Sequence, residues 1–218
     1  MLNIAIDGPS GAGKSTIAKE LAKVLDIIYL DTGAMYRAIG LKALRLGIDT
    51  EDEIGIKGIL DSTNIEILYE NGTQKVILDG EDVSIAIREH QVSKAASNVS
   101  KIPEVRLKLV AMQRDIASKN NVVLDGRDIT SYVLPNANYK FFLTATAEER
   151  AKRRYNELIE KGQNVIYENI LNDINDRDYN DTHRDFAPLT RTSDSIYIDS
   201  TDMTKEQVID YILGCIKR

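Results

Sequence analysis

A chain of 218 residues, 43% of them hydrophobic and 28% charged, can bury the core of one large domain. Its net charge of −6 argues against a long nucleic-acid polymer as the ligand, because such binding depends on many Lys and Arg residues that neutralise phosphates. No apolar run approaches the roughly 20 residues that cross a bilayer. The first residues also lack a basic leader, so we expect a cytoplasmic protein without membrane contact.

The first part of the chain has the pattern of alternating strands and helices. An apolar strand, Leu2 to Ile6, precedes a glycine-rich loop, and Ser15 to Leu25 repeats apolar residues at helical spacing. A second short strand, Ile27 to Asp31, leads into a helix from Met35 to Leu46, for which Thr32 is the expected N-cap. This order predicts a βαβ unit, the building block of a parallel sheet.

A small antiparallel insertion is predicted at about residues 62 to 88. The runs IEILYE and QKVILDG are typical of strands, and Asn71-Gly72 stands between them. Asn-Gly between such runs is the strongest short-range signal of a hairpin, because both residues accept positive φ angles. Parallel strands are joined by longer crossovers, so the hairpin indicates a segment added to the parallel core.

The rest of the chain returns to helices and buried strands. In chain order, we predict helices from about Arg88 and over Val105 to Ala117, strands Asn121 to Asp125 and Tyr139 to Ala145, helices Glu148 to Glu160 and Glu168 to Asp178, strand Ser195 to Ser200, and helix Lys205 to Lys217. Together the elements predict an α/β fold, with a parallel sheet between two layers of helices.

The loop GPSGAGKS, Gly8 to Ser15, satisfies the pattern G-x-x-x-x-G-K-[ST] between a strand and a helix. Its glycines let backbone N–H groups converge on an anion, and the helix N-terminus adds a favourable field. We expect Lys14 to reach the β- and γ-phosphates of a nucleotide and the Ser15 hydroxyl to bind Mg²⁺. The full nucleotide-binding set is Gly8, Pro9, Ser10, Gly11, Ala12, Gly13, Lys14, Ser15 and Thr16.

A phosphate-binding loop does not decide whether the γ-phosphate goes to water or to a second substrate. Two further polar segments follow predicted strands, where ligands bind in parallel sheets. One is Asp31 to Arg37, whose arginine can clamp a phosphate with two hydrogen bonds, and the other is Asp125 to Asp128, where carboxylates flank Arg127. A second anion site of this kind favours phosphoryl transfer to a small molecule.

The order of the motifs resembles that of the bacterial cytidylate kinase family over essentially the whole chain. The motifs are GPSGAGKS, LDTGAMYR, LDGEDVS, AIR, AAS, VR, LDGRD, FFLTA, ERAKRR and RDYNDTHRDFAPL. The resemblance implies a nucleoside-monophosphate kinase fold of three parts: a core at residues 1–40, 85–150 and 185–218, a monophosphate-binding insertion at about 41–84, and a short helical lid at about 151–184. It also implies transfer of the γ-phosphoryl group of ATP to CMP or dCMP with Mg²⁺, giving ADP and CDP or dCDP.

The resemblance further implies roles for individual residues, most of them arginines and aspartates. The substrate-binding positions are Thr32, Tyr36, Arg37, Ser97, Arg106, Arg127, Asp128, Arg177, Asp181 and Arg184, and the catalytic positions are Lys14, Arg127, Arg153, Arg154 and Arg184. Ser97, Arg106 and Asp128 match the family's cytosine contacts. That set suits cytosine, whose amino donor stands beside ring acceptors and needs a carboxylate next to a guanidinium or hydroxyl group.

Other interpretations remain open at the level of sequence. Residues alone allow Arg150, Arg153 and Arg154 to form a solvated helix face, and Thr130 stands where the family commonly has glycine. The alternative functions are another nucleoside-monophosphate kinase, for example one acting on UMP, or a P-loop nucleotide-binding switch. The NKxD motif that reads guanine in GTPases is missing. We expect a monomer whose partners are ATP and CMP or dCMP.

Overall fold

Eight α-helices and eight β-strands occur in the computed structural model, which describes residues 1–70 and 72–216. The strands are β1 (Asn3–Asp7), β2 (Ile28–Asp31), β3 (Ile65–Glu70), β4 (Thr73–Leu78), β5 (Glu81–Asp82), β6 (Val122–Gly126), β7 (Tyr139–Thr144) and β8 (Ile196–Asp199). The helices are α1 (Lys14–Leu25), α2 (Thr32–Arg45), α3 (Glu53–Leu60), α4 (His90–Val99), α5 (Pro103–Lys119), α6 (Ala147–Glu160), α7 (Tyr167–His183) and α8 (Lys205–Ile216). A 3-10 helix covers Ala86–Arg88 and a π-helical turn covers Ile129–Val133.

The chain divides into two compact units. We call Leu2–Ile27 with Asn121–Arg218 the phosphate-loop unit, and Ile28–Asn120 with Met1 the hairpin unit. The division into core, insertion and lid expected from the sequence draws different boundaries and stays a prediction.

The phosphate-loop unit contains four parallel strands in the order β6-β1-β7-β8. Ile4 of β1 is the register partner of Val123 on β6 and of Tyr139 on β7. Ile4 and Ile6 are completely buried, as expected for parallel strands covered on both faces. Because these strands run in one direction, their carboxyl ends lie at one edge of the sheet, which is where ligands bind in such folds.

Helices α6 and α7 of the same unit share a small apolar core. Its buried members are Ala151 and Leu158 from α6 and Ile170 and Ile174 from α7. Thr146 caps α6 by accepting from the backbone N–H of Glu149, which fixes where this helix begins. The two helices predicted at Glu148 to Glu160 and Glu168 to Asp178 thus pack as a pair.

The hairpin unit contains the predicted antiparallel element. β3 pairs with β4 from Ile65 opposite Leu78 to Glu70 opposite Thr73, and β5 extends this sheet. The hairpin prediction is confirmed; Asn71 of the expected Asn71-Gly72 turn lies outside the described residues. Gly72 has a φ angle of 73°, which glycine adopts without strain.

The start of α2 corrects one expectation from the sequence. Asp31, not Thr32, is the N-cap, and its side chain accepts a hydrogen bond from the backbone N–H of Ala34 at 2.9 Å. Both residue types cap helices well, so the end of β2 decides which of them is used. Helix α3 and the π-helical turn had no counterpart among the predicted elements, and the predicted end of the last helix at Lys217 lies outside the described residues.

The architecture agrees with the α/β class predicted from the sequence, with a parallel sheet, helices and a small antiparallel sheet. Among the described residues, no helix combines the length and the apolar character that a membrane span requires.

Candidate active site

The loop between β1 and α1 has the backbone that its glycines predict. Gly11 and Gly13 have φ angles of 76° and 83°, a region that strains other residues. Gly8 packs so closely that a Cβ atom there would lie 1.9 Å from the carbonyl oxygen of Leu143. Gly13 caps α1 without a side chain, and the first turn carries no acidic residue. The helix N-terminus therefore offers N–H groups and a positive field to an anion.

Lys14, the first residue of α1, is buried against this loop. Its Nζ donates to the carbonyl oxygen of Pro9 at 2.7 Å. Burial, together with the positive charge of Arg127, lowers the pKa of Lys14 from 10.5 to about 7. A phosphate group beside Nζ would favour the charged form again. Lys14 is thus poised to become fully charged when an anion binds.

Ser15 and Asp125 bring two oxygen ligands together beside the loop. The Ser15 hydroxyl donates to Oδ2 of Asp125 at 2.7 Å, although the residues are 110 positions apart. Asp125 lies near the end of β6 and is 6% exposed. Hydroxyl and carboxylate oxygens are the donors that Mg²⁺ prefers, and it completes its shell with water and phosphates, so the pair fits this ion. Across the described part of the chain, no group of three or more His, Cys, Asp or Glu residues forms a separate metal site.

Two ion pairs connect the turn after β6 to the end of α7. Nε of Arg127 donates to Oδ2 of Asp181 at 2.6 Å. Arg184 lies 3.4 Å from Asp128, and both side chains are almost completely buried. Nε and Nη2 of Arg184 also donate to the carbonyl oxygen of Ala187, at 2.8 and 2.5 Å. The structure therefore brings four predicted site residues into contact in pairs.

The charges around Asp181 keep its carboxylate ionised. Burial alone would raise the pKa of Asp181, but the guanidinium groups of Arg127, Arg184 and Arg177 hold it below the usual value. The carboxylate offsets part of the cationic charge of this group of arginines. A bound phosphate would also offset this charge, since it presents negatively charged oxygens to guanidinium groups.

Asp7, at the end of β1, anchors the π-helical turn that follows Asp128. Its Oδ1 accepts from the N–H of Ile129 at 2.8 Å, and its Oδ2 accepts from both the N–H and the hydroxyl of Thr130 at 2.7 Å. Burial raises the pKa of Asp7 to about 6, while these hydrogen bonds oppose the rise and the charge of Asp128 adds to it. Thr130, which stands where the family commonly has glycine, is thus hydrogen-bonded to Asp7.

In the hairpin unit, Asp31 at the start of α2 forms ion pairs with two arginines. Nη2 of Arg37 lies 3.0 Å and Nη2 of Arg88 lies 2.8 Å from Oδ2 of Asp31. Burial would raise the pKa of Asp31, but the two guanidinium groups hold it below its ordinary value. The arrangement presents two cations around one carboxylate, which suits the recognition of a further anion.

The other predicted substrate-binding residues of the hairpin unit lie on α2, α4 and α5. Arg106 is 1% exposed and its guanidinium carbon lies 5.5 Å from the ring centre of Tyr36. Nη1 of Arg106 donates to the carbonyl oxygen of Ser100 at 3.2 Å, and the Ser100 hydroxyl donates to the carbonyl oxygen of Ser97. Thr32 is buried at the start of α2. Arg106 is thereby held in one orientation over an aromatic ring.

Comparison with known proteins agrees with this geometry. The family model described as cytidylate kinase matches residues 4–218. The chain belongs to the cytidylate kinase family. Cytidylate kinases from Caldicellulosiruptor saccharolyticus and Clostridioides difficile are 57% and 50% identical to it, over 97% and 99% of this chain and 94% and 98% of theirs. The family recognised in the sequence is confirmed, and with it a phosphotransferase of the kinase type.

Solved structures show the same fold at low sequence identity. An uncharacterised protein from Eubacterium ventriosum aligns with a TM-score of 0.58 and 15% identity, covering 100% of this chain and 99% of its own. A gluconokinase from Sinorhizobium meliloti aligns with a TM-score of 0.53 and 13% identity, covering 100% and 92%. The predicted α/β fold with a phosphate-binding loop is therefore confirmed for this cytidylate kinase family member.

The three arginines at the start of α6 have different environments. Arg150 is buried and contacts the phosphate-binding loop, so the solvated-face interpretation is wrong for this residue. Arg153 bonds Glu149 and both the hydroxyl and the carbonyl oxygen of Ser200, and Arg154 pairs with Glu157 on the exposed face. The catalytic roles of Arg153 and Arg154 stay predictions.

The sequence assigned no role to three polar residues that form hydrogen bonds or ion pairs here: Asp7, Arg88 and Asp178. Asp7 ends a run of apolar strand residues, which is the signal that identified Asp125, and it could have been found in the same way because ligands bind where parallel strands end. Arg88 lies in the AIR motif and Asp178 in the RDYNDTHRDFAPL motif, but their partners Asp31 and Arg150 are 57 and 28 positions away, and no local pattern indicates those contacts.

Proposed function

We propose that this protein transfers the γ-phosphoryl group of ATP to CMP or dCMP, producing ADP and CDP or dCDP. The observation that carries the proposal is the Ser15–Asp125 pair beside the buried Lys14, at the N-terminus of a glycine-capped helix. Its relatives named cytidylate kinase support the choice of acceptor.

The phosphate-binding loop holds the donor. The N–H groups of the loop and Lys14 bind the β- and γ-phosphates of ATP. Burial lowers the pKa of Lys14 to about 7, and negatively charged phosphates favour its charged form. Ser15 and Asp125 are the residues that would hold Mg²⁺. When bound, the ion supplies positive charge that neutralises the phosphate oxygens.

The arginines bind and orient the acceptor phosphate. We assign this role to Arg37, Arg127 and Arg184, each of which forms an ion pair with a carboxylate. An oxygen of the acceptor phosphate attacks the γ-phosphorus, the bond to the bridging oxygen of ADP breaks, and the arginines offset the negative charge. Arg153 and Arg154 are assigned to the phosphoryl group in transfer, and Arg177 with Asp181 to the sugar hydroxyls.

Asp128 is the proposed reader of the base. A carboxylate accepts from the exocyclic amino group of cytosine and repels the carbonyl group that uracil has at the same place. Arg106 and Ser97 supply donors for the ring acceptors, and Thr32 and Tyr36 complete the acceptor site. Asp128 is 5% exposed, so the mismatch would not be relieved by solvent.

An assay that couples ADP release to a spectroscopic signal tests the proposal. The purified protein is given ATP and Mg²⁺ with CMP, dCMP, UMP or AMP, or without an acceptor. We expect turnover with CMP and dCMP and little with the others. Preference for UMP would favour the alternative kinase, and equal ADP release without an acceptor would favour a nucleotide switch.

The assay also measures the metal requirement, because chelation of Mg²⁺ should stop transfer. The cytoplasmic location, the monomeric state and the absence of a nucleic-acid polymer or membrane among the partners stay predictions from the sequence.

A further inference from the structure

Arg150 uses its guanidinium group to join three parts of the phosphate-loop unit. Nε donates to the carbonyl oxygen of Ala145 at 2.9 Å, just before α6. Nη1 donates to the carbonyl oxygen of Ser10 at 2.7 Å and to Oδ2 of Asp178 on α7 at 2.6 Å. Arg150 is only 6% exposed, so this cation is committed to protein contacts rather than to solvent.

Asp178 on α7 binds the other backbone group of Ser10. Its Oδ1 accepts from the backbone N–H of Ser10 at 3.0 Å, while its Oδ2 faces Arg150. Both backbone groups of one loop residue are therefore bound by charged side chains from two helices. We call Arg150, Asp178 and the backbone of Ser10 the loop clamp.

The two helices also lie close to the next loop residue, Gly11. A Cβ atom at Gly11 would lie 3.2 Å from Cβ of Arg150 and 3.6 Å from Cδ1 of Ile174. Ile174 belongs to the core that α6 and α7 share, together with Ala151. A displacement of this helix pair would therefore also displace Ser10 and Gly11 of the phosphate-binding loop.

The clamp has a consequence for phosphate binding. A loop that cradles an anion must direct its N–H groups inward and its carbonyl groups away, because a carbonyl oxygen repels phosphate. Arg150 holds the Ser10 carbonyl by a charge-assisted bond, and this type of bond is roughly twice as strong as a neutral one. The Ser10 carbonyl is thereby prevented from turning toward the anion.

We infer that Arg150 and Asp178 are positioning residues for ATP, which act through the backbone of Ser10 and tie the conformation of the phosphate-binding loop to the helix pair α6 and α7. The inference rests on the proposed function only in taking ATP as the occupant of the loop. The loop clamp is inferred to affect the binding of ATP and not the binding of CMP.

Binding of a β,γ-imido analogue of ATP, measured by calorimetry without an acceptor, tests this inference. Arg150→Met removes the clamp, Arg150→Lys keeps one charged donor, and Asp178→Asn keeps an acceptor for the Ser10 N–H but weakens the bond to Arg150. Lys152→Met and Asp176→Asn are matched controls, because these residues lie on the same helices with exposed side chains. CMP binding is measured in parallel for every variant.

We expect Arg150→Met to weaken binding of the ATP analogue by at least about tenfold, which corresponds to roughly 1.4 kcal/mol, with Arg150→Lys and Asp178→Asn between it and the wild type. CMP affinity should change by less than about twofold, and the controls should match the wild type. If Arg150→Met does not fold, the other two variants carry the same test.

Two results would overturn the inference: unchanged affinity for the ATP analogue in variants whose unfolding midpoint falls, or equal losses for the ATP analogue and CMP. Either would mean that the clamp only stabilises the fold. Failure of the wild type to phosphorylate CMP would refute the proposed function separately, since the binding test contains no acceptor.

Discussion

Thr130→Val should destabilise the protein in a pH-dependent manner. The Thr130 hydroxyl donates to Oδ2 of Asp7 at 2.7 Å, and both residues are buried. Valine has nearly the same shape but cannot donate, and its additional methyl group would face the carboxylate. The substitution therefore removes one of the three hydrogen bonds that reach Asp7 from the turn after Asp128.

The expected loss follows from the charge of the acceptor. A hydrogen bond to a charged group contributes about 1.5–3 kcal/mol, whereas a neutral one contributes about 1 kcal/mol. At pH 8 Asp7 is ionised, since its pKa in the fold is about 6, so we expect a loss of about 2 kcal/mol in the free energy of unfolding. For a chain of this length that corresponds to a decrease of about 4–8 °C in the melting temperature.

The pH dependence has a definite sign. The pKa of Asp7 is raised in the fold from 3.8 to about 6, so the folded state binds the extra proton between these values. Stability from this group is present at low pH and is lost as the pH rises through about 6. Loss of the Thr130 hydroxyl raises the folded pKa further, because that hydrogen bond lowers it. The variant should therefore lose more stability at pH 8 than at pH 5.

Urea unfolding of the wild type and Thr130→Val at pH 5 and pH 8 measures the difference in their free energies of unfolding. Groups that titrate alike in both proteins contribute equally to the two values, so they do not affect this difference. Thr130→Ser is the control, because it keeps the hydroxyl and should show no pH-dependent loss. An equal destabilisation of Thr130→Val at the two pH values would refute the argument, since it would mean that an ionised Asp7 does not depend on this hydroxyl.

The other predictions concern catalysis and the backbone of the loop. Lys14→Ala should abolish transfer and leave the fold intact in circular dichroism, and more than about a tenth of wild-type turnover would contradict its role. Asp128→Asn should lower kcat/KM for CMP by roughly 10- to 100-fold and narrow the CMP-to-UMP ratio, as the coupled assay would record; a full preference for CMP would move base reading elsewhere. Residues 153–184 should gain hydrogen-exchange protection when ATP and CMP analogues bind together, because phosphates relieve the repulsion among their arginines; unchanged protection would indicate a rigid helix pair. Gly8→Ala should lower the unfolding midpoint and ATP affinity, since its Cβ would collide with the Leu143 carbonyl, and an unchanged midpoint would show that the backbone can give way.

Features encoded in short stretches of chain were predictable. The phosphate-binding loop needs glycines at positive φ angles and a lysine at the start of a helix, and all of these lie between Gly8 and Ser15. The β3–β4 hairpin was likewise signalled by two strand-like runs and Asn71-Gly72, because a tight turn is decided by the residues within it.

It was harder to predict which of two neighbouring residues is the N-cap of α2. Asp31 and Thr32 are both good N-caps, and the sequence favoured Thr32. Asp31 is the cap because β2 ends there and because Arg37 and Arg88 hold its carboxylate beside the helix start. The contact with Arg88 joins residues 57 positions apart, which no local rule for caps can include.

The sequence by itself determined the family, the α/β fold and the phosphate-binding loop, since each depends on motifs that are contiguous or stand in a set order. Only the tertiary structure decided which arginine of α6 meets that loop. Arg150, Arg153 and Arg154 lie within two turns of one helix and have the same chemistry. Packing of α6 against α7 directs Arg150 to Ser10 and Asp178 and leaves Arg154 on the exposed face, because the rotation of a helix about its axis is set by the apolar residues that it buries.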